Sequence, residues 1–348
     1  MINTNLLIIT GLALIWACKN APNEAKPAVV SNPIFEVPSN FPAVQYRFET
    51  DQLSQAGFDL GKALFYETAL SSDGTIACGE CHNQAYAFTH HGHDLSHGIK
   101  NREGTRNAPA IQNMAFQKEF FWDGGVFDLD LLPIAPIENP VEMDETFGNV
   151  LDKLKKNPKY PPLFQKAYGS PEISSKKFLK ALSVFMASLV SANSKYDKYM
   201  RKETSGNMST DELEGLNIFN QKCASCHSGA LFTDQSYRNN GLKINKFNDL
   251  GRAKITQNGA DNYKFKVPSL RNVAVTAPYM HDGRFYTLNA VLQHYSHEIL
   301  DSPTLDMELK KNQPLGINLS ENEKTKIIAF LKTLTDEEFL KDKRFANN

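Results

Sequence analysis

Two stretches of the same pattern decide the fold of this chain: Cys78-Gly79-Glu80-Cys81-His82 and Cys223-Ala224-Ser225-Cys226-His227. The chain has 348 residues and 5 cysteines, four of which belong to these stretches. The fifth is Cys18, close to the N-terminus, so no pair of thiols is left over for a disulfide. The two stretches therefore predict a chemistry that uses both cysteines and the histidine of each.

Each Cys-x-x-Cys-His stretch has the spacing of a c-type haem attachment site. Two thiols on one short turn add to the two vinyl groups of a haem, and the following histidine, His82 or His227, places an imidazole nitrogen on the iron. A redox or zinc-binding cysteine pair with an incidental histidine is the alternative for a single motif. Because the motif occurs twice, the sequence predicts two covalently bound haem c groups.

The segments around the two motifs repeat in register, which indicates an internal duplication. Pro109 and Pro268 each lie 14 residues before an aspartate, Asp123 and Asp282. The repeated segments are 61–65 with 215–219, 88–89 with 232–233, and 109–124 with 268–283. The chain is therefore predicted to hold two related haem domains in tandem.

Helix signals predict an all-α fold of two tandem cytochrome c-like haem domains. Capping boxes at 209–212 and 320–323 precede periodic apolar runs. A long helix is predicted over 175–202, and no segment has a convincing strand pattern. Gly206-Asn207 marks the boundary between a first domain at 46–205 and a second at 206–348.

The N-terminal residues predict export. Residues 6–17 form an apolar run that is too short to cross a bilayer as a helix and is typical of a signal peptide. The run ends in Ile15-Trp16-Ala17-Cys18, which resembles a bacterial lipobox and implies a lipid on Cys18; a plain secretory signal is the alternative. We therefore expect a lipoprotein signal peptide at 1–17, a flexible tether at 18–45, and a periplasmic protein anchored to the outer rather than the inner membrane.

The composition excludes several classes of function. With 41% hydrophobic and 22% charged residues, the chain is neither disordered nor fibrous. Its 38 Lys and Arg residues are balanced by 39 Asp and Glu, which gives a net charge of -1. No basic excess is left to bind a phosphate backbone, so nucleic acid is not an expected partner.

The repeat predicts that the two haems differ. Tyr295 lies 14 residues beyond His281, and the residue 14 beyond Trp122 is Pro136, which has no donor to offer an iron. The first iron is therefore expected to keep an open face. Glu142, six residues later, is placed to move a proton between the two oxygens of a bound peroxide, and the alternative is a solvated loop residue.

Trp122 is the one tryptophan of this chain outside the predicted signal peptide. It stands in the repeat where the second domain has His281. An indole between two haems gives electrons an aromatic stepping stone. Core packing is the alternative, because large aromatic side chains are usually buried for packing.

Taken together, these motifs resemble the bacterial di-haem cytochrome c peroxidase family, and within it the MauG-like branch. The resemblance covers nearly all of the mature chain and implies a peroxidatic haem in the first domain and an electron-transfer haem in the second. It also implies that Glu142 is the catalytic acid/base and Trp122 the inter-haem tryptophan. One calcium ion is implied between the domains, with Asn107 and the backbone carbonyls of Thr276 and Pro278 as ligands.

Three positions depart from the patterns of the family. Tyr295 stands where the peroxidases have a distal methionine, and the MauG-like branch also has a tyrosine at this position. Tyrosinate is a hard anionic donor that stabilises ferric iron. Leu132 replaces a glutamine near the peroxide, and Gln221 replaces the exit tryptophan of MauG. The nearby rivals of Tyr295 as ligand are Met280, His294 and His297.

A histidine cluster follows the first haem motif and comprises His90, His91, His93 and His97. In the peroxidase branch, a distal histidine in this loop caps the resting first iron, and His97 is nearest to its place. A surface site for a transition metal and solvated loop side chains are the alternatives.

These features predict an enzyme, a di-haem c-type peroxidase that reduces hydrogen peroxide to water at the first haem with electrons relayed through the second. One alternative is a MauG-like, peroxide-dependent oxidase of a protein or small organic substrate. Another is a di-haem electron carrier or redox sensor with both irons capped. The expected partners are hydrogen peroxide, a small c-type cytochrome, cupredoxin or other periplasmic electron donor, and a second copy of the chain in a homodimer.

Overall fold

The computed structural model describes residues 34–49 and 53–347, and most of these residues that lie in regular structure are helical. The prediction of a mainly helical fold is confirmed. The predicted signal peptide, Cys18 and most of the tether lie outside the described residues. The α-helices are α1 Gln55–Phe65, α2 Cys78–Cys81, α3 Ile134–Glu138, α4 Phe147–Lys156, α5 Tyr160–Tyr168, α6 Ser175–Ala187, α7 Lys195–Met200, α8 Thr210–Lys222, α9 Ala253–Thr256, α10 Leu288–His297, α11 Met307–Lys310, α12 Glu321–Lys332 and α13 Glu337–Leu340.

Two helix crossings organise two hydrophobic cores. Helix α1 packs on α6 in the first core, and α8 packs on α12 in the second. Each crossing has a glycine of the repeated signature at its contact, because a Cβ at Gly61 would overlap the carbonyl of Ala181 and one at Gly215 would overlap the carbonyl of Lys326. Only glycine lets the backbones approach this closely. The repeated glycines therefore fix the same helix pair in both halves.

Backbone geometry confirms the register of the repeat. Asn113 and Asn272 both adopt the left-handed conformation, with φ of 58° and 59°. The backbone N–H of Asn113 donates to the carbonyl of Leu189 at 2.8 Å, and that of Asn272 donates to the carbonyl of Leu334 at 3.0 Å. Asparagine tolerates this conformation better than most residues with a side chain. The two halves therefore share one backbone plan as well as one sequence pattern.

The two halves exchange matching hydrogen bonds where they meet. The backbone N–H of Asn107 donates to the carbonyl of His281, and that of Lys266 donates to the carbonyl of Trp122, both at 2.8 Å. Asn107 and Lys266 each stand two residues before the repeated proline, and Trp122 and His281 are the corresponding residues of the repeated turn. The contact is therefore pseudo-symmetric, like an isologous dimer interface within one chain.

Two arginines make ion pairs across the same interface. Arg271 donates from both Nη atoms to the carboxylate of Asp197 at 2.8 Å, and both side chains are fully buried. Arg106 donates to both carboxylate oxygens of Asp249, at 2.6 and 2.9 Å, and to Asp123 at 2.5 Å. Bidentate pairs of this kind fix orientation as well as contact. They hold the two cores in one relative arrangement.

Two predictions about secondary structure are wrong. The helix predicted over 175–202 is divided into α6 and α7, because the Ser188 hydroxyl bonds back to the Val184 carbonyl and Ser194 caps the new helix through a capping box with Asp197. A small antiparallel sheet also exists, with β1 Tyr237–Arg238 paired to β2 Phe265–Lys266. The two capping boxes predicted at 209–212 and 320–323 are confirmed.

Two segments, one near each end of the described chain, pack outside the domain to which the sequence assigns them. Ile34 and Phe35, which fall in the predicted tether, are buried in the first core. Phe339 and Phe345, which fell in the predicted second domain, are buried in the same first core. Burial of the large apolar side chains in both segments is energetically favourable, and it holds the two segments against the first core.

None of the helices within the described ranges combines the length and the apolar character that a bilayer crossing requires.

Candidate active site

One cavity of about 1270 Å³ lies between the two halves. Both Cys-x-x-Cys-His motifs contribute to its lining, through Cys81 and His82 from the first half and through Cys223, Cys226 and His227 from the second. Sites for a single small molecule usually have volumes of about 300–1,000 Å³. The cavity is therefore larger than one small molecule needs, and residues of both motifs line it.

The two proximal histidines are oriented in the same way. Nδ1 of His82 donates to the carbonyl of Phe88 at 2.8 Å, and Nδ1 of His227 donates to the carbonyl of Phe232 at 3.1 Å. A carbonyl only accepts, so each Nδ1 carries the proton and each Nε2 keeps its lone pair. Burial lowers the pKa of both imidazoles, which keeps them neutral. A neutral imidazole held from behind by a carbonyl is the ligand that a metal requires.

The cysteines of both motifs lie on single turns that close in the same manner. The backbone N–H of His82 donates to the carbonyl of Cys78, and that of His227 donates to the carbonyl of Cys223, both at 3.0 Å. None of the four motif cysteines is paired in a disulfide, and burial raises the pKa of the Cys81 thiol to about 11 and that of the Cys223 thiol to about 12. These residues therefore fit two haem c groups, each held by two thiols and one histidine.

Glu142 lies in the cavity lining together with Pro136 and Leu132, at the first haem site. The carboxylate is half-buried, and its Oε1 accepts a hydrogen bond from Asn139 Nδ2 at 2.9 Å. Burial raises the pKa of Glu142 above its usual value, and the bond from Asn139 opposes this shift. A carboxyl group with a raised pKa beside an apolar residue is suited to take up and release protons.

Asn139 is a site residue that the sequence reasoning did not identify. Its side-chain oxygen accepts from the backbone N–H of Val141, and its carbonyl accepts from the backbone N–H groups of Glu142 and Asp144. One residue therefore shapes the turn and orients the carboxylate on it. The available signal was Asn139 directly before Pro140, a combination that favours a turn.

Trp122 lies at the junction of the two halves, where it lines the cavity. Its indole Nε1 donates to the carbonyl of Asn107 at 2.9 Å, and Asn107 in turn donates its backbone N–H to the carbonyl of His281. The indole is half-buried and has its polar atom satisfied. The ring is therefore held in one orientation where it lines the cavity.

Tyr295 and Met280 both line the second half of the cavity, so two of the rival ligands are within reach of it. Asn240 Nδ2 lies between them, at 3.3 Å from the Tyr295 hydroxyl and 3.4 Å from the Met280 sulfur. Burial raises the pKa of Tyr295 to about 12, and the bond from Asn240 opposes this shift. The other two rivals have partners elsewhere: His294 Nε2 donates to the Asn240 carbonyl at 2.9 Å, and His297 Nδ1 meets Ser296 Oγ at 2.7 Å.

Three residues of the histidine cluster lie together beside the first haem site. The rings of His90 and His93 stack with centroids 4.4 Å apart, and His97 lies 4.7 Å from His93. His91 is separate and stacks on Tyr86. None of these four histidines is among the described residues that line the cavity. Among the described side chains, no group of three histidine, cysteine or acidic residues has metal-binding geometry.

The residues predicted to bind calcium all line the cavity at the interface. Asn107 is buried, and its Nδ2 donates to the carbonyls of His93 and Asp94 at 3.2 and 3.1 Å. Its side-chain oxygen is therefore left to accept from a donor or to bind a cation. Oxygen atoms of this amide and of the carbonyls of Thr276 and Pro278 suit a hard cation in chemical type.

Gln221 lies at the outer edge of the second haem site. Its side chain is exposed, and Nε2 donates to Asn217 Oδ1 at 3.2 Å on the same helix, α8. A polar amide provides no aromatic system through which an electron could leave the cavity toward the surface at this position.

Comparison with known proteins gives a consistent result. A family model described as di-haem cytochrome c peroxidase matches residues 55–205. The chain is 37% identical over 289 residues to the methylamine utilization protein MauG of Methylorubrum extorquens, a match that covers 80% of this chain and 78% of that protein. It is 35% identical over 284 residues to the cytochrome c551 peroxidase of Nitrosomonas europaea, with 80% of each chain covered.

A solved structure gives the same result at the level of the fold. The crystal structure of a MauG-like protein associated with microbial copper homeostasis matches with a TM-score of 0.79 and 30% identity, and the match covers 89% of this chain and 97% of that chain. The resemblance predicted from the motifs is confirmed: the chain belongs to the di-haem cytochrome c peroxidase family.

Proposed function

We propose that this protein is a peroxidase that reduces hydrogen peroxide to two molecules of water, with two electrons and two protons consumed in each turnover. The observation that carries the proposal is Glu142, a half-buried carboxylate that lines the cavity beside Pro136. Pro136 stands where the repeat has Tyr295, so the first site combines an acid/base group with a position that has no ligand. The family to which the chain belongs supports the same reaction.

Two haem c groups are held in tandem domains by Cys78, Cys81 and His82 in the first and by Cys223, Cys226 and His227 in the second. When bound, these two groups would supply the redox chemistry, with peroxide reduction at the first and electron transfer at the second. Tyr295 is the proposed distal ligand of the second group. Trp122, fixed by its bond to the Asn107 carbonyl, provides the aromatic path between them.

Glu142 moves the proton. Because Asn139 occupies Oε1, the proton transfer is assigned to Oε2. Oε2 accepts a proton from one peroxide oxygen and returns it to the other, which leaves as water. The side chains of Pro136 and Leu132, which also line the cavity, are apolar and provide no competing proton carrier.

A second candidate function is a MauG-like oxidation of a protein or an organic substrate. Tyr295 favours it, because an anionic oxygen ligand stabilises high oxidation states of iron. The exposed Gln221 argues against it, since no aromatic residue at that position connects the cavity to the surface. We therefore rank the peroxidase first.

Several features outside the site belong to the same proposal. We propose a calcium ion at Asn107, Thr276 and Pro278, all of which line the cavity and offer oxygen atoms of the type that a hard cation binds. We also propose a lipid anchor at Cys18 and a periplasmic location, where a small c-type cytochrome or a cupredoxin serves as the electron donor.

Stopped-flow spectra test the function. Peroxide is mixed with the fully ferric protein and, separately, with the protein reduced by one electron. A rapid reaction only after half-reduction indicates a peroxidase whose first iron is capped at rest, with His97 as the first candidate for the cap. Direct reaction of the ferric protein, with a high-valent spectrum that persists, supports the MauG-like candidate. Two low-spin haems that react in neither state would refute both enzymes and leave an electron carrier or redox sensor.

A further inference from the structure

We propose that Asn240 selects which side chain completes the coordination of the second haem. This inference rests on the proposed haem site, and it goes beyond that proposal by naming what decides between two ligands. The Asn240 amide nitrogen lies 3.3 Å from the Tyr295 hydroxyl oxygen and 3.4 Å from the Met280 sulfur. An amide NH₂ group carries two hydrogens, so it is able to donate to both rivals at once.

The position of Asn240 is fixed through its backbone. Its carbonyl accepts from His294 Nε2 at 2.9 Å, and His294 precedes Tyr295 on helix α10. The amide group is therefore held in register with the phenol by the same helix that carries the phenol. Because this anchor is a backbone atom, it survives replacement of the Asn240 side chain.

Met280 is held in place as well. It adopts the left-handed conformation with a φ of 75°, and the next residue, His281, stacks on Phe265 with ring centroids 3.7 Å apart. Both rival ligands therefore come from fixed elements. The amide of Asn240 lies between them.

The two hydrogen bonds act in the same direction. A bond donated to the tyrosine oxygen becomes charge-assisted when that oxygen is anionic, so it stabilises tyrosinate as the ligand. A bond donated to the thioether engages the sulfur, a weak acceptor whose lone pairs are also what an iron would bind. Asn240 therefore favours Tyr295 and disfavours Met280. It is a positioning residue, and in this proposal it acts on the iron only through these two side chains.

Replacing Asn240 by leucine tests this role in the haem-loaded protein. The N240L variant keeps the size of the side chain and loses both donors. We expect the tyrosinate-to-iron absorption band of the second haem to weaken and the near-infrared band of methionine ligation to appear. Because a hydrogen bond to a charged group is involved, the ratio of tyrosine to methionine ligation should fall roughly tenfold or more. A tenfold change confined to the ferric state corresponds to a rise of about 59 mV in the one-electron reduction potential.

Two further variants complete the test. M280L should keep the tyrosinate spectrum, and the double variant N240L/M280L should lack the methionine band that N240L gains. N240D, which keeps the shape but has no NH₂ group, should also lose tyrosine ligation; it replaces N240L if that variant fails to take up haem. A parent protein without a tyrosinate band would overturn the proposed ligand. A parent protein with this band, together with N240L and N240D variants of unchanged spectrum and potential, would overturn the role of Asn240.

Discussion

At the level of single residues, the chemistry depends on which polar atoms have partners and which are free. Glu142 has one oxygen bound to Asn139, and the two proximal histidines have their Nδ1 atoms bound to carbonyls. Each carboxylate or imidazole has two polar atoms, and a hydrogen bond to one of them orients the group. The other atom is thereby left for the reaction or for the metal.

Removing the proton carrier should slow peroxide cleavage. We expect E142Q to lower the rate of that step by roughly 10² or more, because an amide does not accept and return the proton. Haem attachment should be unchanged, as measured by the absorbance of the alkaline pyridine derivative. E138Q is the matched control, since Glu138 is exposed on α3 and does not line the cavity. Full turnover of E142Q would remove Glu142 from the mechanism.

Asn139 should set the pH at which Glu142 works. Burial raises the pKa of Glu142, and the hydrogen bond from Asn139 lowers it because that bond stabilises the ionised form. Since the ionised form accepts the proton from peroxide, the rate should increase as pH rises through this pKa. N139L loses the opposing bond, so the rising limb of its pH-rate profile should move to higher pH. If the limb stays in place while the rate falls, Asn139 acts only on the shape of the turn.

At the level of elements, the repeated glycines determine how closely the helices pack. G61A and G215A should each destabilise the protein by about 1–3 kcal/mol or more, because a Cβ at either position overlaps a backbone carbonyl of the partner helix. Thermal unfolding of the haem-loaded protein measures this. G148A is the control, since no atom lies within 4 Å of a Cβ there. An unchanged melting temperature in both crossing variants would show that the helices separate at no cost.

The elements also show what the sequence reveals and what it does not. The repeat led correctly from Gly61 to Gly215 and from Trp122 to His281, because each pair keeps its spacing within its own half. The break after α6 was missed, although Ser194 and Asp197 carry the capping pattern that identified α8 and α12. The break is produced by local hydrogen bonds, because Ser188 bonds back to Val184 at the end of α6 and the Ser194–Asp197 capping box begins α7.

The least predictable parts of the site are contacts between distant segments. Asn240 meets Met280 and Tyr295 across 40 and 55 positions, and no periodicity connects them. The histidine cluster is a second example. Its four residues do not line the cavity, and the spacing of the loop does not predict this. Motif and repeat predict which residues reach the cofactor. They do not predict which neighbours hold those residues.

At the level of the whole molecule, buried charges connect the two halves. Asp197 and Arg271 are both fully buried, and although burial alone would raise it, the Arg271 guanidinium holds the pKa of Asp197 below its usual value. The guanidinium also lies 4.5 Å above the ring of Phe41. The pair therefore joins the N-terminal segment, helix α7 and the second half at one point.

Breaking the Asp197–Arg271 ion pair should lower the stability of the whole protein. We expect D197N to lower the free energy of unfolding by about 3–5 kcal/mol, because it leaves a buried guanidinium without its counter-charge. Denaturant unfolding followed at both haems measures the loss. D152N is the control, since Asp152 and Lys155 form an exposed pair that contributes about 1 kcal/mol or less. A loss confined to the second haem would mean that the halves unfold independently.

The burial of Phe339 and Phe345 in the first core determines when the first half is able to complete its folding. The first half emerges from the ribosome long before these two phenylalanines have been translated. Multidomain chains usually fold from the N-terminus as each unit emerges. Here the earlier unit lacks part of its interior until the later one has been synthesised. In the exported chain that we propose, the first motif therefore stays accessible to the enzyme that attaches its cofactor until these C-terminal residues have crossed the membrane.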